Sequence, residues 1–410
     1  MLLQKSTLKP GKTVQICGSK SISNRLLILN ALFSNIKIEN LSDSEDTALL
    51  QDALQSEKKI IDINHAGTAM RFLTAYCAIQ PGKTVTLTGS ERMRQRPIAP
   101  LVDALRSLGA EIEYLEKEGF PPLKISGTNI RKSNVEIDAD ISSQFITALM
   151  LIGAKLENGI HILLKGKVTS KTYILLTAKV LKIAGMDVEL TDDAITVHHL
   201  KEGENGNRIS HYHVESDWSS ASYFYALAAL GQEHISLRNF KAHSKQGDSR
   251  LREIFWEYFG VNTVSDTQEY EITLSKEPKE LPESICLDLN DCPDITQTVC
   301  VAAAALKIPF EFTGLETLKI KETDRLTALQ NELKKIGCIT EITENSIKTV
   351  EFVNPDAEII INTYNDHRMA MSFAPYCLID RLTIENPGVV EKSYPKFWDD
   401  LSEILEEVNN

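Results

Sequence analysis

The strongest constraint on the fold of this chain is an internal repeat. Four amphipathic segments that are predicted to be helices each end at a glycine, and Gly109, Gly185, Gly260 and Gly337 stand 76, 75 and 77 residues apart. Glycine is expected after a helix because that position often takes a positive φ. Each glycine precedes a predicted strand, a turn and a second strand. A spacing this constant predicts a repeated supersecondary unit.

A second kind of predicted helix alternates with the first. Six segments are apolar on almost every side, which is typical of helices buried in a core. Each follows a short polar stretch, and the six stretches are GSKSISNR (18–25), NHAGTAMR (64–71), DISSQ (140–144), ESDWSSAS (215–222), NDCPD (290–294) and YNDHR (364–368). The repeat therefore predicts six core helices, each with a polar stretch at its amino end.

These polar stretches contain more than capping residues. Serine, threonine, aspartate and asparagine are ordinary N-caps. Cations are disfavoured at the amino end of a helix by its dipole, yet the stretches also contain Lys20, Arg25, Arg71, His367 and Arg368. A cation at that place indicates that an anion binds between it and the helix. The sequence therefore predicts a cleft lined by helix N-termini that binds anions.

Composition and charge exclude several classes of protein. A chain of 410 residues with 42% hydrophobic and 25% charged residues is typical of a globular protein of two or three domains. The net charge of −13 argues against nonspecific binding to nucleic acid or to an anionic membrane. The beginning of the chain has no apolar signal segment. The longest apolar run, 299–306, is too short to span a bilayer. We expect a soluble, cytoplasmic protein.

Metal and nucleotide motifs are not supported. The seven cysteines are scattered without a CxxC pair, which favours a reducing compartment over disulfides or a zinc site. Two PGKT stretches, 10–13 and 81–84, lack the first glycine of a Walker A motif and are predicted to be turns before strands. No GxGxxG follows a predicted strand. The remaining metal candidates are His198-His199 and His211-x-His213, and no acidic or cysteine partner stands at ligand spacing from them.

An arginine-rich loop and a pair of carboxylates suggest chemistry. In ERMRQRP (91–97), alternation places Arg92 and Arg96 on one side if the segment is extended, whereas Arg94 is interpreted as solvated. In KETDR (321–325), Glu322 and Arg325 could form a simple i,i+3 ion pair. Two carboxylates among many cations, Glu322 and Asp294, would hinder a pure anion binder, but they suit acid and base roles in proton transfer. This pair favours an enzyme.

Nine motifs occur here in the order found in one family. They are GSKSISNR, AGTAMR, RMRQRP, SSQ, SKTY, PD at 293–294, KETDR, NDHRMAM and EKSYPKF. In this combination, which covers nearly the whole chain, the sequence resembles the EPSP synthase family of enolpyruvyl transferases. The sequence departs from the usual family residues at Cys17, Asn64, His65, Phe72 and Thr317. None of these changes removes a charged catalytic group.

The resemblance implies an α/β fold of two similar domains. Each would consist of three βαβαββ-type units arranged as an inside-out α/β barrel, with the active site in the cleft between the domains. The expected domains are 17–215, and 1–16 together with 216–410.

The resemblance also implies the reaction. The enolpyruvyl group of phosphoenolpyruvate is transferred to the 5-hydroxyl of shikimate 3-phosphate, and phosphate is released. No cofactor, metal, nucleic acid or membrane is expected to take part, and the protein is expected to be a monomer whose partners are these two small substrates.

Site roles are carried over from the family motif by motif. The catalytic group would be Asp294 as proton acceptor, Glu322 as proton donor, Lys20 and His367. Shikimate 3-phosphate would be bound by Lys20, Ser21, Arg25, Ser142, Ser143, Gln144, Ser170, Tyr173, Asp294 and Lys321. Phosphoenolpyruvate would be bound by Lys20, Gly67, Arg96, Gln144, Arg325, Arg368 and Lys392.

Three alternatives stay open at this point. UDP-N-acetylglucosamine enolpyruvyl transferases carry a reactive cysteine in the loop that reads ERMRQRP here, and this loop has none. A non-catalytic phospho-sugar-acid binding protein would not need Asp294 and Glu322. A structural α/β repeat protein would leave the cations at the helix N-termini unexplained.

Overall fold

The chain divides into two compact units. The structure, a computed structural model, describes residues 1–33, 36–139, 142–166, 168–200 and 211–408. One unit consists of Met1–Gly18 together with Glu215–Asn410, and the other of Ser19–Val214. Among the described residues, no helix combines the length and the apolar character that crossing a membrane requires.

The described residues form thirteen α-helices and five short 3-10 helices. The α-helices are α1 (Lys20–Phe33), α2 (Glu45–Gln55), α3 (Gly67–Ala78), α4 (Glu91–Arg94), α5 (Ala99–Leu108), α6 (Ser143–Gly153), α7 (Lys171–Ile183), α8 (Trp218–Leu230), α9 (Leu251–Phe259), α10 (Thr296–Ala305), α11 (Arg325–Lys335), α12 (His367–Phe373) and α13 (Phe397–Ile404). The 3-10 helices are Gly247–Arg250, Pro293–Ile295, Glu316–Ile320, Ala374–Leu378 and Pro387–Lys392.

The strands of the described residues are short. They are β1 (Leu2–Leu3), β2 (Ser6–Leu8), β3 (Lys12–Val14), β4 (Lys37–Glu39), β5 (Ile60–Asp62), β6 (Thr84–Thr88), β7 (Glu111–Tyr114), β8 (Leu123–Ser126), β9 (Asn134–Asp138), β10 (Ile160–Lys165), β11 (Val188–Leu190), β12 (Ala194–Val197), β13 (His211–His213), β14 (Ile235–Arg238), β15 (Val261–Asp266), β16 (Glu271–Lys276), β17 (Ile285–Asp288), β18 (Phe310–Thr313), β19 (Cys338–Ile342), β20 (Ile347–Phe352), β21 (Ile360–Ile361), β22 (Leu382–Ile384) and β23 (Leu405–Glu407).

Four sheets share one topology, which confirms the predicted repeat. Their strand orders are β5-β6-β8-β7, β9-β10-β12-β11, β3-β14-β16-β15 and β17-β18-β20-β19. In each sheet the first two strands are parallel and the other neighbours are antiparallel. A parallel pair needs a crossover, usually a helix, and the two antiparallel strands follow a second helix. Each repeat is therefore a βαβαββ unit.

The remaining described strands form one smaller sheet in Ser19–Val214 and two in the other unit. In Ser19–Val214, β4 pairs in parallel with β13. In the other unit, β22 lies between β1 and β21, and β2 pairs with β23. β3 and β14 are adjacent parallel strands of one sheet. The unit Ser19–Val214 is therefore an insertion in the chain between these two strands.

The six predicted core helices are α1, α3, α6, α8, α10 and α12. Almost every residue of α8, α10 and α12 is buried, and α3 and α6 are buried to a similar extent. A helix that is apolar on every side must be surrounded by other elements. The helices therefore lie inside each unit with the sheets around them, which is the inside-out arrangement that the resemblance implies.

The repeated glycines have the predicted conformation. Gly109, Gly185, Gly260 and Gly337 have φ of 111, 84, 67 and 82°. They follow α5, α7, α9 and α11 directly or within two residues. A side chain disfavours this left-handed region, so glycine ends each helix and lets the chain turn back into the first strand of the antiparallel pair.

Three buried hydroxyls connect the core helices of the unit that contains residues 215–408. Thr298 Oγ1 of α10 lies 3.0 Å from Ser222 Oγ of α8 and 3.1 Å from Ser372 Oγ of α12. All three side chains are buried. The central hydroxyl therefore joins one residue from each core helix of this unit.

Replacing Thr298→Val should lower the free energy of unfolding by about 1–3 kcal/mol, because Ser222 and Ser372 lose a partner in a buried place. Urea denaturation followed by circular dichroism measures this change. Thr340→Val is the matched control, since the hydroxyl of buried Thr340 has no hydrogen-bond partner among the described residues. Its removal should leave stability unchanged or raise it. Equal losses in the two variants would contradict the proposed contribution of the hydroxyls.

Candidate functional site

The predicted site residues fall into two groups, one in each unit. Each group is described within its own unit. Most of these side chains lie at the amino ends of helices, as the sequence predicts, whereas Arg96, Lys321 and Lys392 follow or end a helical turn. The polar stretch 140–144 is described only from Ser142 onward, since Asp140 and Ile141 lie outside the described residues.

In the Ser19–Val214 unit, Arg25 connects α1 with α7. Its guanidinium donates to the Thr177 hydroxyl at 2.8 Å, to the Ser21 carbonyl at 2.7 Å and to the Tyr173 carbonyl at 3.4 Å. Burial lowers the pKa of Arg25 to about 10, although Tyr173 acts in the opposite direction. The side chain is therefore still charged at neutral pH. The predicted residues Ser21, Arg25 and Tyr173 are close together in the structure.

Lys20, the first residue of α1, has an acidic partner that the sequence did not indicate. Its ammonium group lies 3.1 Å from the carboxylate of Asp46, which is buried in the first turn of α2. An acidic residue in a first turn is ordinary because it complements the helix dipole. Nothing in the sequence marks Asp46 as the partner of Lys20.

Gly67 begins α3 and provides space for Arg96. A Cβ at position 67 would lie 2.5 Å from Arg96 Nη1, which is closer than real Cβ contacts. Only glycine lets the buried guanidinium of Arg96 come this near to the amino end of α3. The predicted phosphoenolpyruvate residues Gly67 and Arg96 are therefore neighbours.

The amino end of α6 is tied to the amino end of α3. Ser142 caps α6 by accepting a hydrogen bond from the Gln144 amide at 3.3 Å, and Ser143 follows as the first helical residue. The Gln144 side chain donates to the Thr68 hydroxyl at 3.4 Å. These contacts place Ser142, Ser143 and Gln144 beside Gly67.

Several helix N-termini follow a residue in the left-handed region. Ser170, the N-cap of α7, has φ 52°, and Asn64 has φ 47° shortly before α3. Tyr364 and Asn365, with φ 53° and 56°, precede α12. Such conformations cost about 1–3 kcal/mol each in non-glycine residues and cluster at functional sites. The predicted phosphate ligand Ser170 is therefore held in a conformation that its surroundings must impose.

In the unit that contains residues 215–408, Arg325 is the centre of an ion-pair network. Its side chain is 2% exposed, and its three nitrogens reach three carboxylates. They lie 3.1 Å from Asp294 Oδ1, 2.8 Å from Glu322 Oε2 and 2.6 Å from Asp366 Oδ2. Burial opposes the charge of Arg325, but Asp366, Glu322 and Asp294 outweigh it and raise the pKa. The guanidinium is permanently charged.

Besides Arg325, the predicted proton acceptor Asp294 has two further cations nearby and the predicted proton donor Glu322 has one. Asp294 Oδ2 lies 3.0 Å from Arg368 Nη2, and the Asp294 carbonyl accepts from Arg368 Nη1 at 2.9 Å. Lys321 lies 3.7 Å from Asp294 Oδ1. Glu322 Oε1 lies 2.9 Å from the ammonium group of Lys392. The structure thus brings the predicted residues of this unit into one cluster.

His367 lies at the edge of this cluster. It is buried as the first residue of α12, with Nδ1 3.7 Å from Asp366 Oδ1. Asp366 is the N-cap of α12 and accepts a hydrogen bond from the Arg368 amide at 2.9 Å. In the sequence, Asp366 is only one residue of the polar stretch YNDHR. Its position directly before His367 and Arg368 is the signal that could have identified it as the partner of Arg325.

The loop 91–97 does not meet the condition under which alternation would place Arg92 and Arg96 on one side. The segment with Arg92 is not extended, because Ser90 caps a single helical turn, Glu91–Arg94. Alternation therefore does not describe this loop. Arg94 is largely exposed and pairs with Glu116, as a solvated residue would.

His198 does have acidic neighbours. The antiparallel pairing of β11 and β12 brings Asp187, Glu189 and His198 together, with their ligand atoms within 4.8 Å of one another. The sequence could not show this proximity because it depends on the strand register. All three residues are exposed.

Comparisons with known proteins point to one family. Residues 51–401 match the model of the family described as EPSP synthase (3-phosphoshikimate 1-carboxyvinyltransferase). A 3-phosphoshikimate 1-carboxyvinyltransferase of Bacteroides fragilis is 46% identical over 394 residues, which are 95% of this chain and 94% of that protein. One from Methanospirillum hungatei is 37% identical and is covered to 94%, as is this chain. The solved structure of EPSP synthase from Acinetobacter baumannii has the same fold, with a TM-score of 0.72, 20% identity and coverage of 100% of this chain and 99% of that one.

Replacing Asp366→Asn should lower the free energy of unfolding by about 3 kcal/mol, the lower end of the range for breaking a buried ion pair, because Glu322 and Asp294 still face Arg325. Urea denaturation measures the loss. Asp324→Asn is the matched control, since Asp324 caps α11 through the amides of Leu326 and Thr327, and asparagine caps a helix as well as aspartate does. A loss as large in Asp324→Asn would show that capping, and not the ion pair, is responsible.

Proposed function

The chain belongs to the EPSP synthase family, and we propose that it transfers the enolpyruvyl group of phosphoenolpyruvate to the 5-hydroxyl of shikimate 3-phosphate. Phosphate is the second product. The observation that supports this most strongly is the sharing of Arg325 by Asp294 and Glu322, at 3.1 and 2.8 Å. One buried guanidinium holds the proposed base and the proposed acid next to each other.

The reaction needs both groups because it moves two protons. Asp294 takes the proton of the 5-hydroxyl as that oxygen attacks C2 of phosphoenolpyruvate. Glu322 gives a proton to the methylene carbon, and a tetrahedral adduct results. Loss of phosphate from C2 and of a proton from the new methyl group then forms the enolpyruvyl product. A positioned acid or base typically contributes about 10²–10⁴-fold to a rate.

The substrates together carry two phosphates and two carboxylates, so the site needs cations. In the Ser19–Val214 unit, we assign Lys20 and Arg25 to shikimate 3-phosphate, with the serine hydroxyls at 142, 143 and 170, Ser21, Gln144 and Tyr173. Asp294 and Lys321 complete that set. Phosphoenolpyruvate is assigned to Lys20, Gly67, Arg96, Gln144, Arg325, Arg368 and Lys392. Guanidinium groups suit both anions because they bind carboxylate and phosphate through two parallel hydrogen bonds.

The proposed chemistry relies on proton transfer and charge stabilisation by side chains, and it needs no cofactor. His367, buried beside Asp366, is assigned a supporting catalytic role. The expectation from the sequence that the protein is a monomer in the cytoplasm stays a prediction.

A phosphate-release assay with shikimate 3-phosphate and phosphoenolpyruvate tests the proposal. Phosphate should appear only when both substrates are present. UDP-N-acetylglucosamine in place of shikimate 3-phosphate should give none, because the loop 91–97 lacks a cysteine. Release with the nucleotide sugar would favour the related transferase. Binding of shikimate 3-phosphate without phosphate release would favour a non-catalytic binding protein.

Replacing Glu322→Gln should reduce kcat by about 10²–10⁴-fold, because the side chain keeps its shape but loses the proton that it donates. The affinity for shikimate 3-phosphate, measured by calorimetry, should change little. Glu391→Gln is the control, since Glu391 is an exposed carboxylate beside Lys392. Near-normal kcat in Glu322→Gln would reduce Glu322 to an ion-pair partner of Arg325, and the proton donor would then be sought at Lys20 or His367.

A further inference from the structure

A buried carboxyl group that is not among the residues assigned to the substrates or to catalysis lies near Asp294. Asp248 belongs to the 3-10 helix Gly247–Arg250 and is 5% exposed. It lies in none of the motifs that carry the family resemblance. The burial of an aspartate without a full set of partners is costly, so its place in the fold requires an explanation.

The backbone holds Asp248 next to the proposed base. The 3-10 helices Gly247–Arg250 and Pro293–Ile295 are in contact, and they carry Asp248 and Asp294 respectively. Arg250 fixes the two segments by donating to the Asp288 carbonyl at 2.6 Å, with its guanidinium 4.0 Å from the sulfur of Cys292. The proximity of the two carboxyl groups is therefore built into the fold.

The side chain of Asp248 is only partly satisfied. Its Oδ2 accepts a hydrogen bond from the Ser219 hydroxyl of α8. Its Oδ1 is buried and has no hydrogen-bond partner in the part of the chain that the structure describes. A carboxylate that lacks partners favours its neutral form, because burial penalises the charged one.

The charged groups that face Asp248 come from several elements. Asp294 and Asp217 add negative charge, whereas Arg368 on α12 adds positive charge. Arg250 lies on the same 3-10 helix, and the Cys292 thiol also feels the charge of Asp248. Burial first, and then Asp294, raise the pKa of Asp248 to about 7, although Arg368 and the Ser219 hydroxyl act against this rise. Asp248 therefore changes its charge near neutral pH.

We propose that Asp248 is a positioning residue for the reaction, which sets how readily Asp294 accepts the proton of the 5-hydroxyl. This inference rests on the proposed function. When Asp248 is neutral, Asp294 alone carries negative charge towards Arg368 and is a weak base. When Asp248 ionises, a second negative charge lies beside Asp294, and like charges make each carboxylate hold a proton more strongly. Asp294 is then a stronger base.

The test is the pH dependence of kcat for Asp248→Asn, which keeps the shape of the side chain but cannot ionise. At pH 6 the variant should stay within about twofold of the wild type, because Asp248 is then mostly neutral. At pH 8 its kcat should be about three- to tenfold lower, since an interaction of one pKa unit corresponds to about tenfold. The KM for shikimate 3-phosphate should change less than about twofold at both pH values. A purely structural role would lower kcat by the same factor at each pH, and that result would overturn the proposal.

Two further variants make the test specific. Ser219→Ala removes the hydrogen bond that favours ionised Asp248, so the rise of kcat with pH should move to higher pH and still reach the wild-type level. Glu253→Gln removes an exposed charge from α9, and its profile should match the wild type. A Ser219→Ala profile identical to that of the wild type would count against Asp248 as the titrating group, including where Asp248→Asn folds poorly.

A second measurement separates this inference from the proposed function. The raised pKa of Asp248 means that this residue binds a proton more tightly in the folded protein than in the unfolded chain. Its contribution to the stability of the folded protein therefore falls as the pH rises from about 4 to about 7. The Tm of Asp248→Asn relative to the wild type should therefore increase between pH 5 and pH 8. An active wild type with a constant Tm difference overturns the inference alone. A wild type that releases no phosphate overturns the proposed function and this inference with it.

Discussion

A buried guanidinium with three carboxylate partners organises the unit that contains residues 215–408. Removing such a charge from water is costly, and the cost is offset only when the geometry satisfies the whole group. Arg325 meets this condition with three carboxylates. Asp294 comes from the 3-10 helix before α10, Glu322 from the loop before α11, and Asp366 is the N-cap of α12. The network therefore fixes two neighbouring repeats relative to each other within this unit. In the proposed reaction it also positions the base Asp294 and the acid Glu322.

The repeat explains why charged groups collect at helix N-termini at all. A helix leaves its first amides without partners inside the helix, so polar residues before a buried helix must satisfy them. Cations at these ends oppose the helix dipole and need negative charge nearby. In both units the protein supplies that charge itself, from Asp46 for Lys20 and from Asp294 for Arg368. If the proposed assignments hold, a substrate anion competes with these carboxylates for the same cations.

The helices and strands could be predicted from the sequence more completely than the ion-pair partners of the site residues. Helix N-termini, terminal glycines and apolar core helices are local signals, and the structure places α1, α3, α6, α8, α10 and α12 where these signals indicate. The partners of Arg325 and Lys20 depend on contacts between elements far apart in the chain. Asp366 stands 41 residues from Arg325, and its N-cap role hides its second role. To predict the acidic neighbours of His198, the register of β11 and β12 must be known. To predict the conformation of the loop 91–97, it must be known that Ser90 caps a helical turn.

In the proposed reaction, the cations assigned to phosphoenolpyruvate also lie beside the proposed acid, Glu322. Lys392 and Arg325 lie 2.9 and 2.8 Å from Glu322, and such close positive charges favour the carboxylate over the carboxylic acid. A proton donor must first carry a proton. An arriving phosphate or carboxylate draws on the same cations and adds negative charge beside Glu322, so the carboxylate then binds a proton more readily. We expect Glu322 to become a competent acid only after the anion has bound, which couples substrate binding to proton transfer without any additional catalytic group.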